Sequence, residues 1–324
     1  MYLRTIADMN STILGHLSEV PPDVELVAGV PRSGLLAATM VALHLNLPLT
    51  DVEGLVEGRL LSAGKRPLRH GPTDGLLEES RHVLVVDDCV SQGTELARTR
   101  RLLAELPHRF TFLAIYAFPG GAKRADLTFE IVPRPAAFEW SLFHSEVLKH
   151  VCLDIDGVLC RDATSVEDDD GERYREFLTS VEPLLRPTAP ARALITSRLE
   201  RYRPETEAWL AQHDVQYGEL IMMDHPTAQE RRRSARQAVF KAKAYQRTGA
   251  LLFVESNPGQ AHQIAQLSGK PVLAIATGQV ERPTWQARLA VRAQRIRWWS
   301  RRLRRVPRKV QRVARERLGS NATS

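Results

Sequence analysis

Runs of branched and apolar residues recur along the chain at Leu26–Val30, Val83–Val86, Thr111–Ala117, Val151–Ile155, Ala193–Ile195, Leu251–Val254 and Val272–Ala276. Longer amphipathic stretches separate them. That pattern predicts buried strands alternating with helices, and hence an α/β fold with parallel sheets. Acidic clusters follow several of the runs, at the strand ends where open α/β sheets place their ligands.

Two such clusters lie about 70 residues apart, at Asp87–Asp88 and at Asp154–Asp156, each with its own set of strands. A length of 324 residues accommodates two domains and an appendage. The expected division is 1–149, 150–280 and 281–324.

Composition changes this picture in one respect. The chain carries a formal charge of +7, yet Arg282–Arg317 alone holds fourteen Lys or Arg against the single acid Glu316, a local +13. The remainder is therefore at −6, an acidic body with a basic tail. Cys89, Cys152 and Cys160 have no metal-like spacing and read as reduced thiols. The first residues lack the apolar core of a signal peptide, and Gly34–Leu49 is too short and too interrupted to span a bilayer. A cytoplasmic protein is expected.

The stretch Val83–Leu96 reads VLVVDDCVSQGTEL. With a strand ending at Asp87 and a helix starting near Glu95, the loop between them offers backbone N–H groups to an anion. The adjacent carboxylates would not bind phosphate. They suit sugar hydroxyls or a hydrated Mg²⁺, and a phosphate beside a sugar diol describes a phosphorylated pentose. A plain paired-acid turn is the alternative for these residues alone.

Here the chain resembles the type I phosphoribosyltransferases, whose signature is four apolar residues, two acids and a loop. The resemblance implies that Asp87 and Asp88 hold the ribose of phosphoribosyl diphosphate (PRPP). It also implies that Ser91, Gln92, Gly93 and Thr94 take its 5-phosphate. GVPRSG, residues 29–34, is similar to the family's pyrophosphate loop, with Arg32, Ser33 and Gly34 on the diphosphate. The basic segment 59–70 falls where the family has a lid, so Lys65, Arg66 and Arg69 are expected over the diphosphate. Residues 1–25 and 118–145 would build the hood over the acceptor. Gln92 and Glu95 depart from the family's usual Thr, and Glu95 near a phosphate is unfavourable unless it points away.

The second acidic cluster, VCLDIDGVLC at 151–160, spaces its carboxylates as Asp-x-Asp before a Gly. Two carboxylates so placed can share Mg²⁺ while one attacks phosphorus and the other moves a proton. This resembles the haloacid dehalogenase superfamily of phosphatases. Asp154 would then be the nucleophile, Asp156 the general acid/base and Thr196 of ALITSR the phosphoryl-binding residue. Lys241, with Lys243 as the alternative, would be the lysine. Asp154, Asp156, Glu255 and Asn257 would be the Mg²⁺ ligands, although the superfamily usually has paired Asp at the last two. The insert 161–192 allows only a small cap over this Rossmann-like domain, and EDDD at 167–170 reads as a solvated loop.

In the tail, Ile296, Trp299, Leu303, Val306, Val310 and Val313 recur every three or four residues among arginines. That describes a basic amphipathic helix for an anionic membrane surface. RNA binding and a partner helix are the other readings, and nucleic acid is not expected. The combination resembles pairs that build β-ribofuranose into bacterial surface polysaccharides. They transfer 5-phosphoribose from PRPP to a glycan acceptor, here lipid-linked, and then remove the 5-phosphate. Nucleobase salvage with a fused nucleotidase and a PRPP-sensing regulator are the alternatives. A homo-oligomer is compatible with each.

Overall fold

A computed structural model describes residues 1–61, 67–69, 77, 81–224 and 237–293. The chain is mixed α/β and divides into two compact units, Met1–Leu142 and Phe143–Ser324.

In the first unit, β1 (Tyr2–Arg4) leads to α1 (Ile6–His16), which Thr5 and Asp8 start with a reciprocal capping box. Next come β2 (Leu26–Gly29), α2 (Ser33–Leu45), β3 (Leu49–Asp51), α3 (Val52–Val56), β4 (His82–Val90) and α4 (Thr94–Leu102). β5 (Arg109–Ala117), β6 (Leu127–Ile131) and β7 (Ala136–Phe138) complete it. Five strands form one parallel sheet in the order β3-β2-β4-β5-β6. The chain leaves β2 toward β3 on one side and returns to lay β4 on the other. Strand order thus reverses between β2 and β4, and a crevice opens at their carboxyl ends. Small residues on α2, Ala37, Ala38 and Ala42, let that helix lie close to the sheet over this crevice. β1 and β7 pair apart from the sheet as a parallel ribbon, joining two segments expected to form a hood.

The second unit repeats the arrangement. β8 (Val151–Leu153), α5 (Glu172–Ser180), β9 (Ala193–Leu199), α6 (Arg203–Gln212) and β10 (Leu220–Met223) precede α7 (Gln237–Thr248). β11 (Leu252–Glu255), α8 (Pro258–Ser268), β12 (Val272–Ala274) and β13 (Gln279–Glu281) follow. The order is β10-β9-β8-β11-β12-β13, antiparallel only at β13. Its reversal falls between β8 and β11, so the residues after β8 meet Glu255.

The apolar runs mark the strand centres but not their ends. β4 continues through both acids to Val90, because its pairing with β5 persists to Ala117. LIMM at 220–223 forms β10, one of four strands of the two larger sheets, with β3, β6 and β13, that the seven runs omit. The start of the tail is helical at 285–293, with Trp285 and Leu289 exposed. The stripe from Ile296 onward, and Lys65 and Arg66, lie outside the described residues. Among the described residues no helix is long and apolar enough to cross a membrane.

Candidate active sites

The crevice of the first unit joins two loops that are 55 residues apart in sequence. Ser33, the first residue of α2, donates its hydroxyl to Asp88 Oδ1 at 2.7 Å. Trp140 Nε1 donates to Asp88 Oδ2 at 2.6 Å, so both oxygens of that carboxylate are held. Gly34 follows where only glycine fits: a Cβ there would lie 2.9 Å from Val86 O and 3.1 Å from Asp87 Oδ1. Asp87 is buried beside Asp88, and burial first, then the Asp88 charge, pushes its carboxyl up to about 8. Arg32 is exposed at the mouth.

Beyond the acids, Ser91, Gln92, Gly93 and Thr94 line a cavity of about 310 Å³ together with Asp87, Cys89 and Glu95. Gly93 has φ 80° and caps α4, so the loop turns directly into a helix amino terminus, the cradle expected of an anion site. Glu95 pairs with Arg98 one turn along α4 at 3.3 Å, which gives its charge a partner on the helix. Of the cations expected in the lid, Arg69 is the one among the described residues. Its N–H donates to Asn46 O at 3.0 Å, beyond the far end of α2, roughly 20 Å along the helix from Arg32.

In the second unit, Asp154, Asp156, Asp162, Asp168, Glu255 and Lys241 line a cavity of about 300 Å³ with Ser197, Ser256 and Asn257. Lys241 is buried and donates to Asp154 Oδ2 at 2.6 Å and to Glu255 Oε2 at 2.7 Å; Lys243 is exposed. Burial would depress the Lys241 ammonium, but Asp154 and Glu255 outweigh it and hold the proton. Burial dominates at Asp154 and drives its carboxyl well up against the pull of Lys241, with Glu255 and Asp156 adding to the rise.

Three of the expected residues already have partners within the protein. Asp156 is gripped by Arg198 at 2.7 and 3.1 Å. Burial alone would raise the Asp156 carboxyl, but the Arg198 charge overrides it and keeps the group below its ordinary value. The ion pair with Arg198 thus favours the carboxylate form of Asp156. Thr196 is fully buried, with its hydroxyl accepting from Arg198 N at 3.1 Å, and Ser197 is the neighbour that reaches the cavity. Asn257 lines the same cavity while its Oδ1 caps α8 by accepting from Gln260 N at 3.0 Å. Among the described residues no three His, Cys, Asp or Glu side chains stand ready to hold an ion. Lys241 occupies the position between Asp154 and Glu255. The donor chemistry nevertheless fits Mg²⁺: five lining carboxylates face one lining ammonium, an excess of hard oxygen charge.

No family model matches the chain. The orotate phosphoribosyltransferase of Staphylococcus aureus (strain Mu50 / ATCC 700699) is 26% identical over 127 residues, 38% of this chain and 56% of that protein. The chain thus spans about half the length of the curated relatives it matches. Among solved structures, the purine phosphoribosyltransferase of Pyrococcus horikoshii is 18% identical. It covers 43% of this chain and 92% of its own, with a TM-score of 0.32. The orotate phosphoribosyltransferase of Aeropyrum pernix is 27% identical over 38% of this chain and 71% of its own, at 0.27. The amino-terminal unit resembles the type I phosphoribosyltransferases.

Several residues of this phosphoribosyltransferase-like unit and its companion carry no signal in sequence. Trp140 and Arg134 reach the first site only because β7 returns to β1 beside it. Asp162 and Asp168 enter the second cavity from the insert after β8. The EDDD run is not simply solvated: Glu167 bonds Arg161, Asp169 caps α5 through Gly171 and Tyr174, and Asp170 bonds Tyr202. Arg198 was visible in ALITSR, but nothing local pairs it with Asp156 across 42 residues.

Proposed function

We propose that the first unit transfers 5-phosphoribose from PRPP and that the second hydrolyses the phosphomonoester. The observation that carries the first step is the Ser33–Asp88 hydrogen bond. It holds the end of the GVPRSG loop against the acids that lead into the Ser91–Thr94 loop, an order that suits a diphosphate, a ribose diol and a 5-phosphate. In this reading Asp87 and Asp88 accept from ribose hydroxyls, Arg32 and the Ser33 and Gly34 amides take the diphosphate, and Ser91–Thr94 take the 5-phosphate. Lys65 and Arg66 belong to the same reading as lid cations. Departure of diphosphate leaves positive charge at C1, so these side chains act by orientation and charge stabilisation.

For the second step, Asp154 is the nucleophile, with Lys241 orienting it and Ser197 beside Thr196 at the phosphoryl oxygens. Asp154 and Glu255 would hold Mg²⁺, which supplies the positive charge a phosphate dianion needs among five carboxylates. Asp156, once released by Arg198, would act as general acid/base, protonating the leaving oxygen and then taking a proton from the water that frees the phosphate from Asp154.

The acceptor in the bifunctional reading is a lipid-linked glycan, left carrying β-ribofuranose, with the basic tail on an anionic membrane surface. A nucleobase acceptor is the second reading, favoured by the names of the orotate and purine relatives. Incubating the full chain with PRPP, Mg²⁺ and either synthetic glycans or free bases, and weighing the products, separates the two. A bare pentose adduct on a glycan supports the first, and a nucleoside or nucleotide the second. Absence of adducts on both classes would reject phosphoribosyl transfer.

A further inference from the structure

Among the described residues, the lining of the Ser91–Thr94 cavity carries more acid than base. The cavity is lined by Asp87 and Glu95, and no Lys or Arg lies among the described lining residues. A phosphate dianion on this loop would meet carboxylates at close range, a like-charge approach that the amides of one helix turn offset only in part. Two cations approach the loop among the described residues: Arg124 packs its stem against Gly93, and Arg134 makes a hydrogen bond to the lining. Arg134 Nη2 donates to Ser91 Oγ at 2.7 Å.

Arg134 is held for this position from two directions. Its guanidinium lies over the Phe118 ring, 3.9 Å from the centroid, which orients the planar fork. Phe118 in turn is fixed by its N–H to Val90 O at 3.0 Å, at the start of the same loop. The next residue, Pro135, bonds β1 through its carbonyl to Tyr2 N at 2.9 Å. Arg134 is exposed and has five N–H donors, of which one is given to Ser91.

Resting on the PRPP reading of this site, we infer that Arg134 binds the 5-phosphate directly and makes the unit selective for a phosphorylated pentose. The guanidinium would add a forked pair of charged hydrogen bonds to those of the loop. It would also link the phosphate end of the site to the ribose end, since Arg134 and Trp140 lie six residues apart on one segment.

Three probes test this on the full chain by calorimetry: ribose 5-phosphate, PRPP with Mg²⁺, and pyrophosphate with Mg²⁺. Arg134→Ala is expected to weaken ribose 5-phosphate and PRPP by about tenfold to a hundredfold, the loss of a charged hydrogen bond. Pyrophosphate, bound at the other loop, should keep its wild-type affinity, and Arg134→Lys should recover part of the loss. Unchanged ribose 5-phosphate binding in Arg134→Ala would overturn the inference. So would an equal loss for pyrophosphate, which would make Arg134 a purely structural residue. Wild-type protein that binds none of the three would instead remove the PRPP reading on which the inference stands.

Discussion

Arg198 and Asp156 form a forked ion pair in which the guanidinium is wholly buried and also touches Cys160 Sγ at 3.2 Å and Thr206 Oγ1 at 3.5 Å. The pair joins the end of β9 to the turn after β8. Removing one partner strands the other in a low-dielectric site. Arg198→Met is expected to destabilise the second unit by about 3–5 kcal/mol, read as a lower denaturant midpoint. Asp156→Asn with Arg198→Met should lose less than the two single losses combined, because the residues share one interaction.

Asp154→Asn keeps an oxygen for Lys241 to donate to, so the fold should survive. Hydrolysis of a generic phosphomonoester should fall by roughly 10³-fold or more, the scale of losing a nucleophile or proton carrier. Phosphoribosyl transfer should continue, and the product mass should retain the phosphate. A bare pentose product from this variant would reject Asp154 as nucleophile.

Asp87 makes stability depend on pH. Its carboxyl is raised to about 8 in the folded chain and is ordinary when unfolded. Across roughly pH 4–8 the folded state holds a proton there that the unfolded state has lost, so stability falls as pH rises and levels off above that window. Asp87→Asn should flatten this decline in a melting series from pH 5 to pH 9. A wild-type curve as flat as the variant's would contradict the raised carboxyl.

Gly34→Ala should push α2 off the strand, since the new methyl would meet Val86 O and Asp87. Overpacking of this kind costs about 1–3 kcal/mol. The displacement falls on the Ser33–Asp88 contact, so PRPP affinity should drop along with the melting temperature. Gly15→Ala, in open space on α1, is the control and should do neither.

Trp140→Phe retains the ring but deletes the donor to Asp88 Oδ2. A hydrogen bond to a charged group contributes about 1.5–3 kcal/mol, so PRPP affinity is expected to fall by about tenfold while the aromatic packing against Phe138 persists. Equal affinity would show that the indole N–H plays no part in holding the carboxylate.

What could be read along the chain was whatever depends on neighbours in sequence. The apolar runs marked the central strands of both sheets, because a strand covered on two faces must be apolar throughout, and left β3, β6, β10 and β13 unmarked. Asp87–Asp88 and Asp154–Asp156 stood out because charge at the end of such a run needs a reason. Lys241 lay on a recognisable segment, though only its burial between Asp154 and Glu255 separated it from Lys243. The partners that set each group's chemistry came from elsewhere: Trp140 and Ser33 to Asp88, Arg134 to Ser91, Arg198 to Asp156. Asn257 stood out by its position after a strand, while its capping of α8 showed only in the folded chain. Such pairings follow from where strand order reverses and how closely helices seat on the sheet. They bring together side chains 42–55 residues apart, and they require the tertiary structure because no local pattern encodes a contact closed by packing across the whole unit.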